Sequence, residues 1–275
     1  MRQRGNDQTV FRNILDGIAN GEFSKNDWDK LEEHTSVMNS EEAKEEFKDA
    51  IKLCARNKDS KSFNIKKIQE LNNPIAPIMA ENSSSQAKKV SANKAGGLQN
   101  NILLCKDSKV MLLANLWSDQ GLTNGAQGFV RYIVYEKGKK PPNLPAYVLV
   151  YFPDYTGPSF HDKEEKLVPI KSETRKWFEP QSNKEVYRTM LPLVSAYAIT
   201  IHKSQGKTLE KIILNLGERD FAAGLTYTAL SRTTDIKKIA FEYPFPELKR
   251  FRSIFRLKLF TDRIDEEKRL AKLSI

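Results

Sequence analysis

Residues 194–216 read VSAYAITIHKSQGKTLEKIILNL, and this stretch predicts the fold of the chain. An apolar strand leads into a polar turn, and a second apolar strand follows the turn. Buried strands of this kind are typical of parallel α/β sheets, in which ligands bind at the carboxyl ends of the strands. The turn offers hydroxyl, imidazole and ammonium donors for phosphate oxygens, on Thr200, His202, Lys203 and Ser204. The alternative is an ordinary surface turn with local caps.

The same turn contains Gly206-Lys207-Thr208, which looks like the end of a phosphate-binding P-loop. A P-loop needs a second glycine five residues before the glycine of this GKT, so that the loop can open around the phosphates. That position is Ile201, and the pattern GxxxxGKS/T occurs nowhere in the chain. We therefore expect this chain alone to hold no nucleoside triphosphate.

A second stretch with candidate chemistry is GLTYTALSRTTDIKKIAF, at residues 224–241. Residues 225–230 predict a short helix that leads to Ser231 and Arg232, ahead of a last apolar strand. A guanidinium on a rigid element can stabilise charge on a transferring phosphoryl group, and such arginine fingers contribute about 10³–10⁵ in rate. The alternative for Arg232 is a surface arginine in an ion pair.

The sequence before residue 82 predicts further α/β structure. Apolar positions at helical spacing indicate a helix over about residues 8–20, which Asp7 could cap, and another near 59–71. The apolar run IKLCA at 51–55 predicts a buried strand, and a second strand is expected near 75–80.

The pattern changes after residue 82. A polar stretch over about 82–101, rich in Ser, Asn and Lys, predicts a loop. Short strand-like runs then alternate with Gly, Pro and Asn turns, which predicts a small β-barrel or sandwich inserted between about 118 and 190. The α/β rhythm returns at LVSAYAITI, and residues 247–273 predict a basic amphipathic helix.

Composition favours a globular protein with an anionic partner. The chain has 275 residues, a net charge of +10 and an isoelectric point near 9.4. A basic excess favours nucleic acid first and an acidic membrane surface second. Cys54 and Cys105 lie in apolar runs without metal-ligand spacing, which predicts buried free thiols in a reducing compartment. With no signal peptide or membrane segment visible, we expect an intracellular protein: in the nucleus or mitochondrion if eukaryotic, otherwise in the cytoplasm.

Together, TIHKSQGKTL and YTALSRT resemble motifs V and VI of superfamily 1 helicases, in the RecD-like branch (superfamily 1B) and in particular the Pif family. Residues 1–23 are similar to motif IV and the helix after it. Residues 53–64 look like the next segment, and residues 109–130 look like the strand and turn that enter the family's SH3-like insertion. The resemblance therefore covers most of the chain.

The resemblance implies an α/β fold with a RecA-like parallel sheet, the second motor domain, called 2A. Domain 2A would comprise residues 1–117 and 191–246. A small SH3-like β subdomain, 2B, would be inserted over 118–190, and a basic helix would follow over 247–275.

The resemblance also implies a role for particular residues. Arg232 would be the motif VI arginine finger, and Arg2 would be the motif IV arginine that reaches the γ-phosphate. Gln205 and Gly206 would lie near the nucleotide at the interface between the two motor domains. The residues expected to face single-stranded DNA are Thr200, His202, Lys203 and Ser204.

The implied function is the C-terminal motor half of an ATP-dependent DNA helicase of 5′-to-3′ polarity, with ATP and Mg²⁺ as cofactors of the complete enzyme. Motifs I, Ia, II and III do not occur in this sequence. We therefore expect the Walker A and Walker B motifs on an N-terminal RecA-like partner domain. Two alternatives stay open at this point: a non-catalytic nucleic-acid-binding remnant of a helicase, and a β-barrel module that recruits a protein.

Overall fold

The computed structural model describes residues 3, 5, 8–160, 165–179, 184–217 and 224–252, and in addition 262, 265, 266, 269 and 270. Arg2 and Asp7 lie outside the described residues, and so does most of the predicted C-terminal helix. None of the described helices is long and apolar enough to cross a membrane.

The described α-helices are α1 (Thr9–Asn20), α2 (Lys25–His34), α3 (Glu41–Glu46), α4 (Asn57–Glu70), α5 (Ser85–Lys89), α6 (Leu225–Leu230) and α7 (Leu248–Arg252). The described strands are β1 (Ser36–Val37), β2 (Ile51–Cys54), β3 (Ala76–Met79), β4 (Glu81–Asn82), β5 (Asn101–Leu104), β6 (Lys109–Leu112), β7 (Gln127–Val134), β8 (Tyr147–Tyr151), β9 (Leu167–Ile170), β10 (Glu173–Phe178), β11 (Glu185–Met190), β12 (Leu193–Ser195), β13 (Ala198–Thr200), β14 (Ile212–Asn215) and β15 (Ile239–Phe241). The chain forms two compact units: unit 1 comprises Met1–Ser62 and Ala198–Ile275, and unit 2 is Phe63–Tyr197.

Unit 1 contains a parallel sheet with the strand order β1-β15-β14-β2-β13. Every residue of β2, β13 and β15 is buried, which is the pattern of strands covered on both faces. The predicted α/β fold with a parallel sheet is therefore confirmed.

Local signals in the sequence set the ends of the first helices in unit 1. Gly21 ends α1 in the left-handed conformation, with a φ of 80°, and its N–H donates to the carbonyl of Gly17. Ser24 caps α2 in a capping box with Asp27. The predicted cap of α1, Asp7, lies outside the described residues, and Gln8, which flanks this helix, makes no side-chain capping bond.

Unit 2 is mainly antiparallel. One sheet has the order β12-β6-β7-β8-β9, and a separate ribbon has the order β10-β11-β4. Buried apolar side chains of the first sheet form one core with residues from β3, β5 and β11. This accounts for the short apolar strands that the sequence predicts between residues 102 and 190.

Two parts of the structure differ from the sequence-based expectation. The run LVSAYAITI divides into two strands in different sheets: β12 pairs antiparallel with β6 in unit 2, and β13 pairs parallel with β2 in unit 1. Strand β10 was not predicted, because ETRKWF is mostly polar and alternates between half-buried and exposed residues. The compact units divide at other residues than the predicted domains, whose boundaries stay a prediction.

Both cysteines are buried, as predicted, with side chains of Cys54 and Cys105 at 0% and 1% exposure. Burial raises the pKa of the Cys54 thiol to about 12 and also raises the pKa of Cys105. We expect a thiol reagent at pH 8 to modify neither residue in the folded chain and both in denaturant. Rapid labelling of either native thiol would contradict this.

The same pKa shift predicts how stability depends on pH. The folded pKa of Cys54 lies above its ordinary value of 9.0, so the folded state holds this proton more tightly. The contribution of the Cys54 proton to the free energy of unfolding is present below pH 9 and is lost as the pH rises towards 12. The fall in the free energy of unfolding between pH 8.5 and 11 should therefore be smaller in Cys54→Ala than in the unmodified chain, and an equal fall would contradict it.

Candidate functional site

The polar turn that follows Thr200 lies at the carboxyl edge of the parallel sheet. Strand β13 ends at Thr200, and Thr200 pairs with Cys54, the last residue of β2. Asn215, the last residue of β14, pairs with the same Cys54. Three strands therefore end together beside the 3-10 turn Ile201–Ser204, at the edge where α/β sheets bind ligands.

The two hydroxyl groups of this turn hold its own backbone. The Thr200 hydroxyl accepts the N–H of Lys203 at 3.4 Å and caps the 3-10 turn. The Ser204 hydroxyl donates to the carbonyl of Ile201 at 2.6 Å, and Ser204 is fully buried. The structure thus gives both hydroxyls a role in shaping the turn, and the contact with DNA predicted for them stays a prediction.

The other two predicted DNA-facing residues are accessible. His202 is exposed, and Lys203 is half-buried. Burial lowers the pKa of the Lys203 ammonium, and no carboxylate among the described residues lies within ion-pair distance of it. A partly desolvated cation without a counter-charge gains free energy when an anion approaches. Lys203 is therefore the residue of this turn best placed to attract a phosphate.

Gln205 and Gly206 lie at the exposed tip of the turn. Gly206 has a φ of 78°, which is the left-handed region that favours glycine, and a Cβ built there would meet no atom within 4 Å. The requirement for glycine here comes from the backbone conformation alone. The open space beside Gly206 leaves room for a ligand or another domain to approach the backbone.

Arg232 links the stretch at residues 224–241 to the polar turn of the stretch at residues 194–216. Its Nε donates to the carbonyl of Thr228 at 2.7 Å, and a terminal nitrogen donates to the carbonyl of Ser204 at 3.1 Å. The other terminal nitrogen donates to the Ser231 hydroxyl at 2.8 Å. In return, the Arg232 carbonyl accepts the N–H of Leu209 at 2.9 Å. The side chain is 7% exposed, so the alternative of a surface ion pair does not fit it.

One residue at this site, Gln3, was not singled out in the sequence, where it lies within the segment similar to motif IV. The Gln3 side chain is buried and donates to the carbonyl of Thr233 at 2.5 Å, next to Arg232. The Gln3 carbonyl accepts a bond from Arg12 at 3.2 Å. The chain is thus tied to the region of Arg232 at the residue that follows Arg2. A buried glutamine amide at a chain start leaves no pattern in a single sequence that would reveal this.

The donors of this site suit an anion rather than a metal ion. Across the described part of the chain, no group of three or more His, Cys, Asp or Glu side chains is placed to hold a metal ion. The guanidinium of Arg232, the ammonium of Lys203 and the open backbone at Gly206 are instead groups that bind phosphate oxygens. The P-loop pattern that would hold a triphosphate is missing from the sequence.

Comparison with curated proteins finds ATP-dependent DNA helicases. The chain is 33% identical over 188 residues to ATP-dependent DNA helicase PIF1 of Xenopus laevis, which covers 68% of this chain and 26% of that protein. It is 26% identical over 216 residues to ATP-dependent DNA helicase Pif1 of Campylobacter jejuni, which covers 71% of this chain and 44% of that protein. The chain thus spans less than half the length of these relatives. No protein-family profile matches the chain.

Comparison with solved structures finds the same fold. The Pif1 helicase of Candida albicans superposes with a TM-score of 0.68 at 21% identity, over 99% of this chain and 59% of that one. A Bacteroides Pif1 described as bound to ssDNA superposes with a TM-score of 0.64 at 22% identity, over 100% of this chain and 56% of that one.

Proposed function

Because this chain belongs to the Pif1 family of helicases, we propose that it supplies the C-terminal motor half of an ATP-dependent DNA helicase. The observation that carries the proposal is the bond from Arg232 to the carbonyl of Ser204. It joins the short helix that ends before Arg232 to the turn at the carboxyl edge of the parallel sheet. A guanidinium and a phosphate-attracting turn therefore belong to one rigid unit.

In the proposed enzyme, an N-terminal RecA-like domain with Walker A and Walker B motifs would hold ATP and Mg²⁺, and ATP would supply the phosphoryl group that is cleaved. Arg232 would stabilise charge on that group. Gln205 and Gly206 would face the nucleotide from the exposed tip of the turn. Arg2 would approach the γ-phosphate, which is supported by the bond of its neighbour Gln3 beside Arg232.

Single-stranded DNA is the proposed partner of the turn itself. His202 and Lys203 would contact the phosphate backbone directly, and Thr200 and Ser204 would act at least through the shape that their hydroxyls impose on the turn. A translocase must hold any sequence, so contacts with phosphates suit it better than contacts with base edges. The polarity of 5′ to 3′ is also part of the proposal and rests on the family alone.

The arrangement of domains is proposed in the same way. Residues 118–190 would form the SH3-like subdomain 2B, inserted into a RecA-like domain 2A of residues 1–117 and 191–246. The antiparallel sheet of unit 2 supports an inserted β subdomain. A basic helix over residues 247–275 completes the proposal.

The experiment that tests the DNA contact is the replacement Lys203→Ala. We expect weaker binding of a single-stranded oligonucleotide and a smaller salt dependence, with the slope of log affinity against log salt reduced by about one unit. The reason is the loss of one counter-charge to a phosphate.

The matched control is Lys44→Ala, because the Lys44 ammonium is exposed and already paired with Glu41 at 2.6 Å. Its salt slope should equal that of the unmodified chain. An unchanged slope in Lys203→Ala would remove this residue from the DNA contact.

One observation favours the second candidate function, a non-catalytic nucleic-acid-binding remnant. Three bonds of the Arg232 guanidinium go to oxygen atoms of this chain itself, which is also what a purely structural arginine would do. The two functions differ in what the loss of Arg232 does to ATP turnover in a complete enzyme.

A further inference from the structure

An acid-free stretch of unit 2 carries three lysines. Residues 82–100, here called the lysine segment, read NSSSQAKKVSANKAGGLQN and contain Lys88, Lys89 and Lys94 but no Asp or Glu. The sequence predicts a loop here. The structure instead contains helix α5, capped by the Ser84 hydroxyl, followed by a series of turns.

A buried arginine organises this segment. Arg188, on β11, is 0% exposed, and its Nε donates to the Asn82 side chain at 2.9 Å. One terminal nitrogen donates to the carbonyl of Leu98 at 2.9 Å, and the other donates to the carbonyls of Ala87 and Val90 at 2.8 and 2.9 Å. One side chain thus fixes the start, the middle and the end of the lysine segment.

A second arginine reinforces the same arrangement. Arg175 on β10 is the direct cross-strand partner of Arg188, and it donates to the carbonyl of Gly96. Two like charges directly opposite each other on neighbouring strands are normally destabilising. Here both side chains donate to carbonyls of the lysine segment, and Glu173 forms an ion pair with Arg175 at 3.0 Å. Two arginines of the ribbon β10-β11-β4 therefore stabilise one conformation of the lysine segment.

Among the residues that the structure describes, no carboxylate neutralises the charge of Arg188. Burial lowers the pKa of its guanidinium, and the four bonds described above go to carbonyl and amide oxygens rather than to a carboxylate. Two of these oxygens belong to Ala87 and Val90, at the end of α5. A cation at this position offsets the partial negative charge of the helix end.

The three lysines themselves are exposed and unpaired. Among the described residues, no carboxylate lies within ion-pair distance of Lys88, Lys89 or Lys94. Three lysines elsewhere in unit 2 differ from these, because each has a carboxylate oxygen at 2.8 Å: Lys67, Lys139 and Lys176. The lysine segment is therefore a fixed surface with three available positive charges above a fourth that is buried.

We propose that the lysine segment is a second contact for the phosphate backbone of DNA, carried by unit 2 and separate from the turn at Lys203. The proposal rests on the proposed DNA-binding function. An ordered surface without acids and with unpaired ammonium groups matches the regular negative charge of a DNA strand, and such contacts are independent of base sequence.

The test compares two triple variants of equal net charge. In the first, Lys88, Lys89 and Lys94 are replaced by glutamine. In the second, the ion-paired Lys67, Lys139 and Lys176 are replaced by glutamine. Affinity for a single-stranded and for a duplex oligonucleotide is measured over a range of salt concentrations. We expect the first variant to bind roughly tenfold more weakly at low salt, with the slope of log affinity against log salt about two to three units smaller. The affinity and the slope of the second variant should change little.

The other outcomes separate this inference from the proposed function. Equal losses in both triple variants would assign the effect to net charge and overturn the inference. An unchanged first triple variant together with a smaller slope in Lys203→Ala would also overturn it, while the proposed function stands. If the unmodified chain binds neither oligonucleotide, both fail. If the first triple variant loses binding to vesicles of anionic lipid but keeps binding to DNA, the segment serves a membrane surface and the inference is wrong.

Discussion

Replacing Arg232 by alanine in a complete two-domain enzyme should lower ATP turnover by about 10³–10⁵-fold, because that is what an arginine finger contributes to phosphoryl transfer. DNA binding at low salt should be much less affected, since the turn at Lys203 keeps its ammonium group. The measurement is steady-state ATP hydrolysis with saturating single-stranded DNA, together with the affinity for the same DNA.

The structural role of Arg232 needs its own control. The side chain bonds to the carbonyls of Thr228 and Ser204, so its loss removes one donor from each of them. The Ser204 carbonyl keeps the N–H of Lys207 at 3.0 Å, and the Thr228 carbonyl keeps the Ser231 hydroxyl at 3.1 Å. Arg232→Lys keeps a positive charge without the planar fork of the guanidinium, and we expect it to recover stability better than turnover. Arg269→Ala, at an exposed arginine paired with Glu266 at 2.7 Å, should change neither. Normal turnover in Arg232→Ala would exclude the catalytic role and favour the non-catalytic remnant.

Replacing Arg188 by methionine should lower the free energy of unfolding by about 3–5 kcal/mol, because each buried polar group left without its partner costs about 1–3 kcal/mol and this side chain serves several. Methionine fills part of the space but removes the arginine donor from four buried or part-buried acceptors, on Asn82, Ala87, Val90 and Leu98. Of these, the Ala87 carbonyl keeps the N–H of Val90 at 3.3 Å. The effect should be measured by urea unfolding, followed by a signal from unit 2 such as the fluorescence of Trp177, which lies 5.9 Å from the Arg188 guanidinium.

The matched control is Lys176→Met, one strand away on the exposed face of the same ribbon. Lys176 pairs with Glu185 in solvent, so its loss should cost at most about 1 kcal/mol. The loss of unfolding free energy in Arg188→Lys should lie between the losses in Arg188→Met and Lys176→Met, because an ammonium group can donate to only some of the four acceptors. A loss below 1 kcal/mol in Arg188→Met would show that the lysine segment keeps its shape without this arginine.

Much of the candidate site could be predicted because its signals are local. The strand, turn and strand around Thr200 appear as two apolar runs separated by polar residues, and α6 is followed by Arg232 as predicted. The parallel sheet was predictable for the same reason, since strands such as β2 and β15 are apolar at every position. The absence of the P-loop pattern could be read from the spacing of the glycines in the sequence alone.

The parts that could not be predicted depend on contacts between distant residues. In the sequence, Thr200 and Ser204 are candidate phosphate donors in the same way as Lys203. Only the fold shows that their hydroxyls bond within the turn. The lysine segment has the composition of a loop, and the residue that orders it, Arg188, lies 90 to 106 positions away from the four groups that it holds. A polar segment becomes ordered when buried donors satisfy its carbonyls, and composition does not reveal such donors.

By itself, the sequence determined the class of fold, the position of the polar turn between two strands, and the identity of Arg232 as the residue to examine. These follow from apolar periodicity and turn chemistry, which act over a few neighbouring residues. Only the tertiary structure decided that LVSAYAITI divides between two sheets, that Arg232 holds the carbonyl of Ser204, and that a buried arginine shapes the lysine segment. The path of the chain brings those groups together, and each is held there because a buried polar atom must find a partner.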